Sequence, residues 1–252
     1  MSFEVAAGAY DRFMGRYSTL LSPLLADLAG VRAGQRVLDV GCGPGALTAE
    51  LVKRVGPASV SAVDPSEPFV AAARERNPAV DVQLATAEAL PYPDDAFDAA
   101  LAQLVVQFMS DPAAGVAEMR RVTRRDGVVA ACVWAHGAGQ GPLSPFWAAA
   151  QELAPGARDE ARQTGTNAGD LSELFVAAGL REVEETSLAV RVLHPTFEEW
   201  WEPFMLGVGT PGSFMKTRTP EQMDALREAS RAILPPAPFT LKARAWTVVA
   251  RV

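Results

Sequence analysis

The segment VLDVGCGPGALT, residues 37–48, constrains the fold of this chain more than any other. An apolar run typical of a buried strand leads directly into Gly41, Gly43 and Gly45 and then into a helical pattern. Glycines in a strand-to-helix turn let backbone amides approach a ligand closely, because no Cβ stands in the way. The segment therefore predicts the first βα unit of an α/β protein, ending in a ligand-binding turn or in a tight turn without a ligand.

Short β-branched runs continue to alternate with longer helical patterns, which is typical of a parallel sheet. We predict strands at 35–41, 58–64, 79–85, 128–134, 181–192 and 239–252, with a further one that begins within 97–108. Helices are predicted at 46–56, 66–76, 113–123 and 170–179, and residues 137–145 are predicted to be a flexible connection. The stretch 194–238 is rich in Pro, Trp and Met and exceeds what a minimal sheet needs, so we interpret it as an inserted cap.

The composition disfavours several classes of protein. A formal charge of −7 disfavours partners that are bound through phosphates, such as nucleic acid or an anionic membrane. Two cysteines and two histidines in 252 residues argue against a disulfide framework or a metal centre. The sequence shows no leader with a basic and then an apolar region, and no run of the roughly 18 apolar residues that a membrane span needs. We therefore expect a cytoplasmic, metal-free protein for small molecules, either monomer or homodimer.

Two acidic residues near the turn indicate the kind of ligand. Asp64 ends the second predicted strand, about 20 positions past Gly41, where a carboxylate can accept from both hydroxyls of a ribose. Asp39 precedes the turn, where it would repel the pyrophosphate of a dinucleotide, and the G-x-G-x-G spacing departs from G-x-G-x-x-G. A ligand with a ribose and an ammonium but no phosphate fits better, and S-adenosylmethionine is such a ligand.

Four segments in order resemble the class I S-adenosylmethionine-dependent methyltransferases, in the broad group that includes the ubiquinone and menaquinone biosynthesis enzymes. They are VLDVGCGPG (37–45), AVDPS (62–66), ATAEALPYPDDAFDAALAQLVVQF (85–108) and VTRRDGVVAACVW (122–134). The resemblance covers about residues 10–135, and the remainder matches only in general plan. It implies a Rossmann-like α/β fold, in which a seven-stranded, mostly parallel sheet has helices on both faces, an antiparallel last strand and a helical cap insertion.

On this resemblance, residues 1–252 form one methyltransferase domain with three regions. Residues 1–30 would be an N-terminal helical strap, and residues 31–135 the cofactor-binding core. Residues 136–252 would form the acceptor-side half, with the cap at about 194–238.

The resemblance implies a role for several residues at the methionine end of the cofactor. The backbone of Gly41 and Gly43 would lie along it, and Asp39 would face its ammonium. The side-chain carbonyl of Gln103, at the carboxyl end of the fourth predicted strand, would reach the same portion.

The ribose and the adenine are assigned in the same way. Asp64 would hold the ribose hydroxyls. The residues implied to lie beside the adenine are Pro65, Ser66, Ala87 and Glu88, the last two through a backbone amide. Thr86 departs from the family, which usually has Asp there, so the contact with the adenine amino group would be neutral and weaker.

The segment AYDRFMGRYS, residues 9–18, has two interpretations that are compatible with each other. It is a helix whose aromatic residues Tyr10, Phe13 and Tyr17 pack on the body of the protein. It is also similar to a strap that related methyltransferases place over the cofactor. In that case Arg16 would pair with the methionine carboxylate and Tyr10 would shield the sulfonium.

Methyl transfer from a sulfonium is a direct displacement, so a catalytic side chain is needed only when the acceptor must lose a proton. We assign no catalytic residue beyond a weak candidate, His136, which follows the fifth predicted strand and otherwise lies in a solvated glycine-rich loop. His194 is interpreted as a turn residue. We find no set of metal ligands of the kind that catechol methyltransferases use.

The aromatic residues of the cap are the candidates for the acceptor site, or else they form a small core of the cap itself. Helical spacing places Trp200 with Phe204 on one face and Trp201 with Met205 on the next. We expect one pair to line the acceptor pocket and the other to be packing. The acceptor would be a neutral-to-hydrophobic small molecule such as a phenol, a carboxylate or an activated carbon.

Two alternative functions stay open on the sequence. One is an NAD-type oxidoreductase on a related doubly wound sheet, which Asp39 and the glycine spacing disfavour. The other is a nonenzymatic S-adenosylmethionine-binding module, which no sequence feature excludes.

Overall fold

In the computed structural model, which describes residues 7–157 and 159–252, seven strands form one sheet in the order 3-2-1-4-5-7-6. The strands are β1 Val37–Val40, β2 Val60–Asp64, β3 Asp81–Leu84, β4 Phe97–Gln103, β5 Thr123–Trp134, β6 Arg181–His194 and β7 Phe239–Arg251. β1 to β5 pair in parallel, whereas β7 pairs antiparallel with both β5 and β6. The predicted fold class is confirmed, including the antiparallel last strand.

The helices pack on both faces of the sheet. Those in the described residues are α1 Ala7–Tyr10, α2 Arg16–Leu28, α3 Ala46–Val55, α4 Glu67–Arg76, α5 Pro112–Val122, α6 Ser144–Leu153, α7 Asp170–Ala177, α8 Phe197–Trp201, α9 Gly209–Met215 and α10 Pro220–Ile233. A π-helical turn, Asp11–Gly15, joins α1 to α2, and a 3-10 turn, Glu202–Leu206, follows α8. No helix in these parts of the chain has the length and apolarity to cross a membrane.

The central strands are apolar throughout because both of their faces are covered. In β1, Val37 belongs to the core under α2 and α3, whereas the next residue, Leu38, belongs to the core under α5 and α7. In β4, Leu101 and its neighbour Ala100 divide between the two cores in the same way. This explains why the strands show continuous apolar runs rather than alternation.

Two local expectations were wrong. α6 begins within the segment 137–145 that was predicted to be a flexible connection, and its Phe146 and Trp147 are buried. Pro145 lies in its first turn, a position where proline stabilises a helix start. β5 begins at Thr123 rather than at residue 128. Its pairing with β4 contains a bulge between the pair Phe97–Thr123 and the pair Ala99–Val128.

The cap is held by stacked aromatic rings. Phe146 of α6 stacks on Phe204 with 4.5 Å between ring centroids, and Phe204 also meets Phe13 of the N-terminal segment at 5.4 Å. Trp200 packs edge-on against Phe204 at 4.9 Å. Because these rings come from three separate segments, their contact fixes the cap against α6 and the N-terminal helices.

We expect Phe146→Ala to lower the free energy of unfolding by about 3–5 kcal/mol, because it leaves a cavity beneath the cap. Val176→Ala is the matched control, since Val176 is 61% exposed and its loss should change stability by less than about 0.5 kcal/mol. Urea unfolding measures both effects. Equal and small effects would show that Phe146 does not anchor the cap.

Candidate functional site

A cavity of about 860 Å³ opens at the carboxyl ends of β1, β2 and β4. The strand order reverses at β1 and β4, and open α/β sheets bind ligands at such a switch point. Its lining includes most of the predicted site residues, namely Tyr10, Gly41, Gly43, Asp64, Pro65, Ser66, Ala87, Glu88 and Gln103. We call it the main cavity. Segments that follow separate strands therefore bring these residues together, although their roles stay predictions.

Apolar side chains that the sequence did not single out complete this lining. They include Phe69, Leu84, Leu104, Val105, Phe108 and Met109. Phe69 meets Tyr10 edge-on at 5.3 Å between centroids, so the N-terminal helix closes over the cavity at this point. Their position in the chain could have identified two of them, because Leu84 ends β3 and Phe108 follows β4 at the same edge of the sheet.

The glycine turn after β1 has the left-handed backbone that the motif predicts. Gly41, Gly43 and Gly45 have φ values of +70°, +52° and +95°. A Cβ on Gly41 would lie 2.3 Å from Cγ2 of Val105, so a side chain does not fit there. Around Gly43 the space that a Cβ would enter is open, and this residue faces the main cavity. The turn is therefore packed on one side and accessible to a ligand on the other.

Asp64 fastens two loops of the site together. Its Oδ2 accepts from the backbone N–H of Gly43 and its Oδ1 from that of Ser66, both at 2.9 Å. Burial raises the pKa of Asp64 above its ordinary value, although these two hydrogen bonds oppose the rise. Each carboxylate oxygen has lone-pair capacity for a further donor, which is what the two hydroxyls of a ribose require.

A smaller cavity of about 20 Å³, the annex, adjoins the main cavity and shares Tyr10, Gly41 and Gln103 with it. Asp39 also lines it, and the Oδ1 of Asp39 is buried without a hydrogen-bond partner among the described residues. The Oε1 of Gln103 is also buried without a hydrogen-bond partner among these residues, whereas its Nε2 donates to the Ser18 carbonyl and the Ser22 hydroxyl. Two buried acceptors without donors are costly, and a ligand that carries donors would satisfy them.

The carboxyl of Asp39 is held in an unfavourable environment. It is 1% exposed, and its Oδ2 accepts from the Thr48 hydroxyl at 2.6 Å. Burial raises the pKa of Asp39 to about 7, with Thr48 opposing the rise and Asp64 adding to it. A cation bound in the annex would stabilise the carboxylate and lower this pKa.

We expect Asp39→Asn to stabilise the protein near pH 8 and to have little effect near pH 4. The folded pKa of about 7 lies above the ordinary value of 3.8, so the folded state binds more protons between these values. The free energy of unfolding of the wild type therefore falls as the pH rises between these two values. An asparagine side chain does not titrate, so the variant avoids this fall, and its amide oxygen can still accept from the Thr48 hydroxyl. Urea unfolding at several pH values measures the difference between the proteins. A difference that does not depend on pH would contradict this account of Asp39.

Two predicted residues lie outside both cavities. Arg16 has its guanidinium 3.4 Å from Nδ1 of His194, so its position does not support the predicted pairing with a methionine carboxylate. His136 is absent from the lining of the main cavity and the annex, and burial lowers its pKa to about 4. Its ring packs against Gly141, where a Cβ would lie 2.4 Å from Nδ1. This position does not support a role as general base.

His194 is not a turn residue, contrary to the interpretation of the sequence. It ends β6, is 2% exposed, and stacks on Phe239 at 5.3 Å. Its Nε2 lies 3.1 Å from the hydroxyl of Tyr17 in α2. Sequence pattern missed this pair because the two residues are far apart in the chain.

His194 and Tyr17 line a narrow cleft between α2 and the cap, with a volume of about 10 Å³. Its walls include Phe13, Trp200 and Phe204, and we call it the acceptor cleft. Trp201 packs instead on Phe197, and Met205 is 49% exposed. The two pairs proposed from helical spacing therefore differ in their surroundings, and only the Trp200–Phe204 pair faces this cleft.

Comparison with known proteins agrees with this architecture. Residues 38–131 match a protein family described as a methyltransferase domain. The malonyl-[acyl-carrier protein] O-methyltransferase of Halorhodospira halophila is 35% identical over 132 residues, which are 51% of this chain and 45% of that protein. The 2-methyl-6-phytyl-1,4-hydroquinone methyltransferase 2 of Oryza sativa subsp. japonica is 38% identical over 115 residues, 44% of this chain and 31% of that protein. This chain thus spans less than half the length of these relatives, 45% and 31% respectively.

Among solved structures, the YcgJ protein of Bacillus subtilis superposes with a TM-score of 0.60 at 20% identity. The superposition covers 93% of this chain and 97% of that one. At this identity the match shows a common fold over nearly the whole length of both proteins.

Proposed function

We propose that this chain, whose residues 38–131 match a family described as a methyltransferase domain, transfers a methyl group from S-adenosylmethionine to a small-molecule acceptor. The observation that carries the proposal is the annex, where Asp39 and Gln103 present two buried oxygens without donors. An ammonium supplies donors and a positive charge to such a site. Asp64 lines the main cavity, which adjoins the annex.

The residues of the main cavity fit the rest of this cofactor. Asp64 would accept from the ribose hydroxyls, and Leu84 and Phe108 offer apolar surface to a flat adenine ring. Thr86 also lines the cavity and can accept a hydrogen bond without charge. The Glu88 carboxylate accepts from the backbone N–H groups of Ser110 and Asp111, so its side chain orders the loop that follows β4.

The bound cofactor supplies a methyl group that its sulfonium already activates, so the chain has to position the acceptor and exclude water. Tyr10 closes the main cavity through its contact with Phe69, and it also lines the annex. The acceptor cleft lies against the N-terminal helical segment, and Phe13, Trp200 and Phe204 give it apolar walls. Binding and orientation are therefore the work we assign to these residues.

The proposal predicts that S-adenosylmethionine and its demethylated product, S-adenosylhomocysteine, bind the protein and that NAD does not. A pyrophosphate would lie against the turn beside the buried Asp39, which disfavours a dinucleotide. Calorimetric titration with all three ligands tests this. Binding of NAD without binding of the other two would refute the proposal.

Asp64→Ala should weaken the binding of S-adenosylhomocysteine by roughly 1.5–3 kcal/mol, because it removes charge-assisted hydrogen bonds to the ribose. Asp64→Asn removes the charge and one of the two backbone hydrogen bonds, since the amide can accept from only one of the N–H groups of Gly43 and Ser66. Asp81→Asn is the control, because Asp81 is an exposed residue of β3 outside the main cavity. Calorimetry and thermal unfolding are measured together. Unchanged affinity in a folded Asp64 variant would make Asp64 purely structural.

We expect the cap to determine which acceptor is methylated without changing the affinity for the cofactor. Trp200→Leu with Phe204→Leu alters the wall of the acceptor cleft, and Trp201→Leu with Met205→Leu alters packing and surface. We expect the first double variant to change transfer of labelled methyl groups to a panel of phenols, acids and amines. Affinity for S-adenosylhomocysteine should stay within about threefold of wild type in both. If both double variants lose cofactor binding and stability equally, the cap is only core.

A further inference from the structure

We propose that Gln107 is a positioning residue for the cofactor site, because it holds Leu104 in a left-handed backbone conformation that sets the wall beside Gln103. The inference rests on the proposed function and adds a residue outside the lining of the main cavity and the annex. It is carried by the backbone of Leu104, by the two hydrogen bonds at that residue and by the side of the sheet on which its side chain lies.

Leu104, the residue that follows β4, has an unusual backbone conformation. Its φ is +62°, in the left-handed region that glycine adopts readily and that is costly for a residue with a Cβ. Leucine also lacks the short polar side chain that lets asparagine or aspartate adopt this region. Such conformations persist only where the surrounding structure imposes them, and they concentrate at functional sites. Leu104 lines the main cavity, so whatever imposes its φ also shapes the site.

The left-handed turn changes the side of the sheet on which Leu104 lies. In a regular strand, successive side chains point to opposite faces. Ala102 belongs to the core under α5 and α7, and Gln103 points the other way, towards α2. A regular strand would return Leu104 to the first face, but it lies in the core under α2 and α3. The turn therefore places two consecutive side chains, those of Gln103 and Leu104, on the same side of the sheet.

Two hydrogen bonds hold the backbone of Leu104. Its N–H donates to the carbonyl of Cys132 in β5 at 2.9 Å, one residue past the pairing of Gln103 with Cys132. Its carbonyl accepts from Nε2 of Gln107 at 3.1 Å. A carbonyl can only accept, so the amide of Gln107 is oriented with its nitrogen towards Leu104. β5 thus fixes one side of the residue, and the side chain of Gln107 fixes the other.

The oxygen of the Gln107 amide shows that the donor is what the turn requires. Oε1 of Gln107 is buried and has no hydrogen-bond partner among the described residues, which costs free energy. Methionine, which has a similar length, would avoid this cost but could not donate to Leu104. The polar side chain is therefore explained by donation from its Nε2 and not by packing alone.

The same turn also contacts the glycine turn after β1. Val105, the next residue, places its Cγ2 at 2.3 Å from the position that a Cβ on Gly41 would take. Gly41 and Gln103 both line the annex, where the buried Oε1 of Gln103 is proposed to accept from the cofactor ammonium. A shift of the backbone at Leu104 would thus disturb two parts of the annex together. The position of Leu104 therefore affects the methionine end of the proposed cofactor.

The adenine side of the same wall is held by a different residue. The carboxylate of Glu88 accepts from the backbone N–H groups of Ser110 and Asp111. Loss of the Gln107 donor therefore releases the wall beside Gln103 but leaves these two bonds in place. A ligand that carries the amino acid portion should consequently depend on Gln107 more than a ligand that ends just beyond the ribose.

The test measures, by calorimetry on the full chain, the binding of S-adenosylhomocysteine and of 5′-methylthioadenosine, which lacks the amino acid portion. We expect Gln107→Met to weaken the first by about tenfold and the second by less than about twofold. Gln107→Asn, whose amide is one methylene too short to reach Leu104, is a second variant and should behave in the same way. Gln163→Met is the matched control, because Gln163 also buries an Oε1 without a partner among the described residues but lines neither cavity. It should change neither affinity.

Two readouts separate positioning from a general loss of structure. Gln107→Met removes one hydrogen bond together with a buried oxygen that lacks a partner, so the urea midpoint should change little while the affinity falls. In the protein without ligand, hydrogen exchange of the Leu104 amide should be about tenfold faster in the variant, because the turn is held less firmly.

A double-variant cycle tests the backbone itself. Leu104→Asn introduces a residue that adopts the left-handed region more readily than leucine does. In that background, Gln107→Met should weaken the binding of S-adenosylhomocysteine by less than about threefold. An unchanged tenfold effect would show that Gln107 does not act through the backbone of Leu104.

The outcomes separate this inference from the proposed function. Lack of binding of S-adenosylhomocysteine to the wild type refutes the proposed function, and exchange of the Leu104 amide then still tests the role of Gln107 in the turn. If the wild type binds and Gln107→Met binds both ligands equally well, only the positioning role is refuted. Equal losses for the two ligands, or a loss of affinity that accompanies a matching loss of stability, would make Gln107 merely structural.

Discussion

The rest of the site depends on hydrogen bonds that fasten the glycine turn after β1 to the end of β2. The backbone N–H groups of Gly41 and Cys42 both donate to the carbonyl of Val63, at 2.8 and 2.9 Å. One residue further along, the Asp64 carboxylate accepts from Gly43. These bonds hold an open, left-handed turn against a neighbouring strand, and the main cavity is the space that this turn leaves uncovered.

The parts of the molecule that sequence predicts well are those set by local pattern. Apolar runs buried on both faces located the strands, and the glycines identified the turn, because a Cβ on Gly41 would meet Val105. The predicted cofactor residues gather at one cavity because parallel strands all end at the same edge of the sheet. Asp39, Asp64 and Gln103 each lie at or near the end of a strand, so topology alone brings them close to one another.

The parts that sequence did not predict depend on contacts between distant segments. His194 lies next to a proline and suggests a turn, but Tyr17 and Phe239 bury it at the end of β6. Arg16 lies in a segment similar to a cofactor strap, yet the helix directs it towards His194. Nothing within ten residues of either position encodes these partners, which only the packing of α2 against β6 and β7 supplies.

α2 serves two sites because neighbouring residues of a helix point about 100° apart. Ser18 faces Gln103 and the annex, whereas Tyr17 faces His194 and the acceptor cleft. A displacement of this helix would therefore move the walls of both cavities together. The annex contains buried oxygens that lack donors among the described residues, a cost that a ligand with donors would remove. Such a ligand would also steady the helix that carries Tyr17, because Gln103 donates to the Ser18 carbonyl and the Ser22 hydroxyl of the same helix.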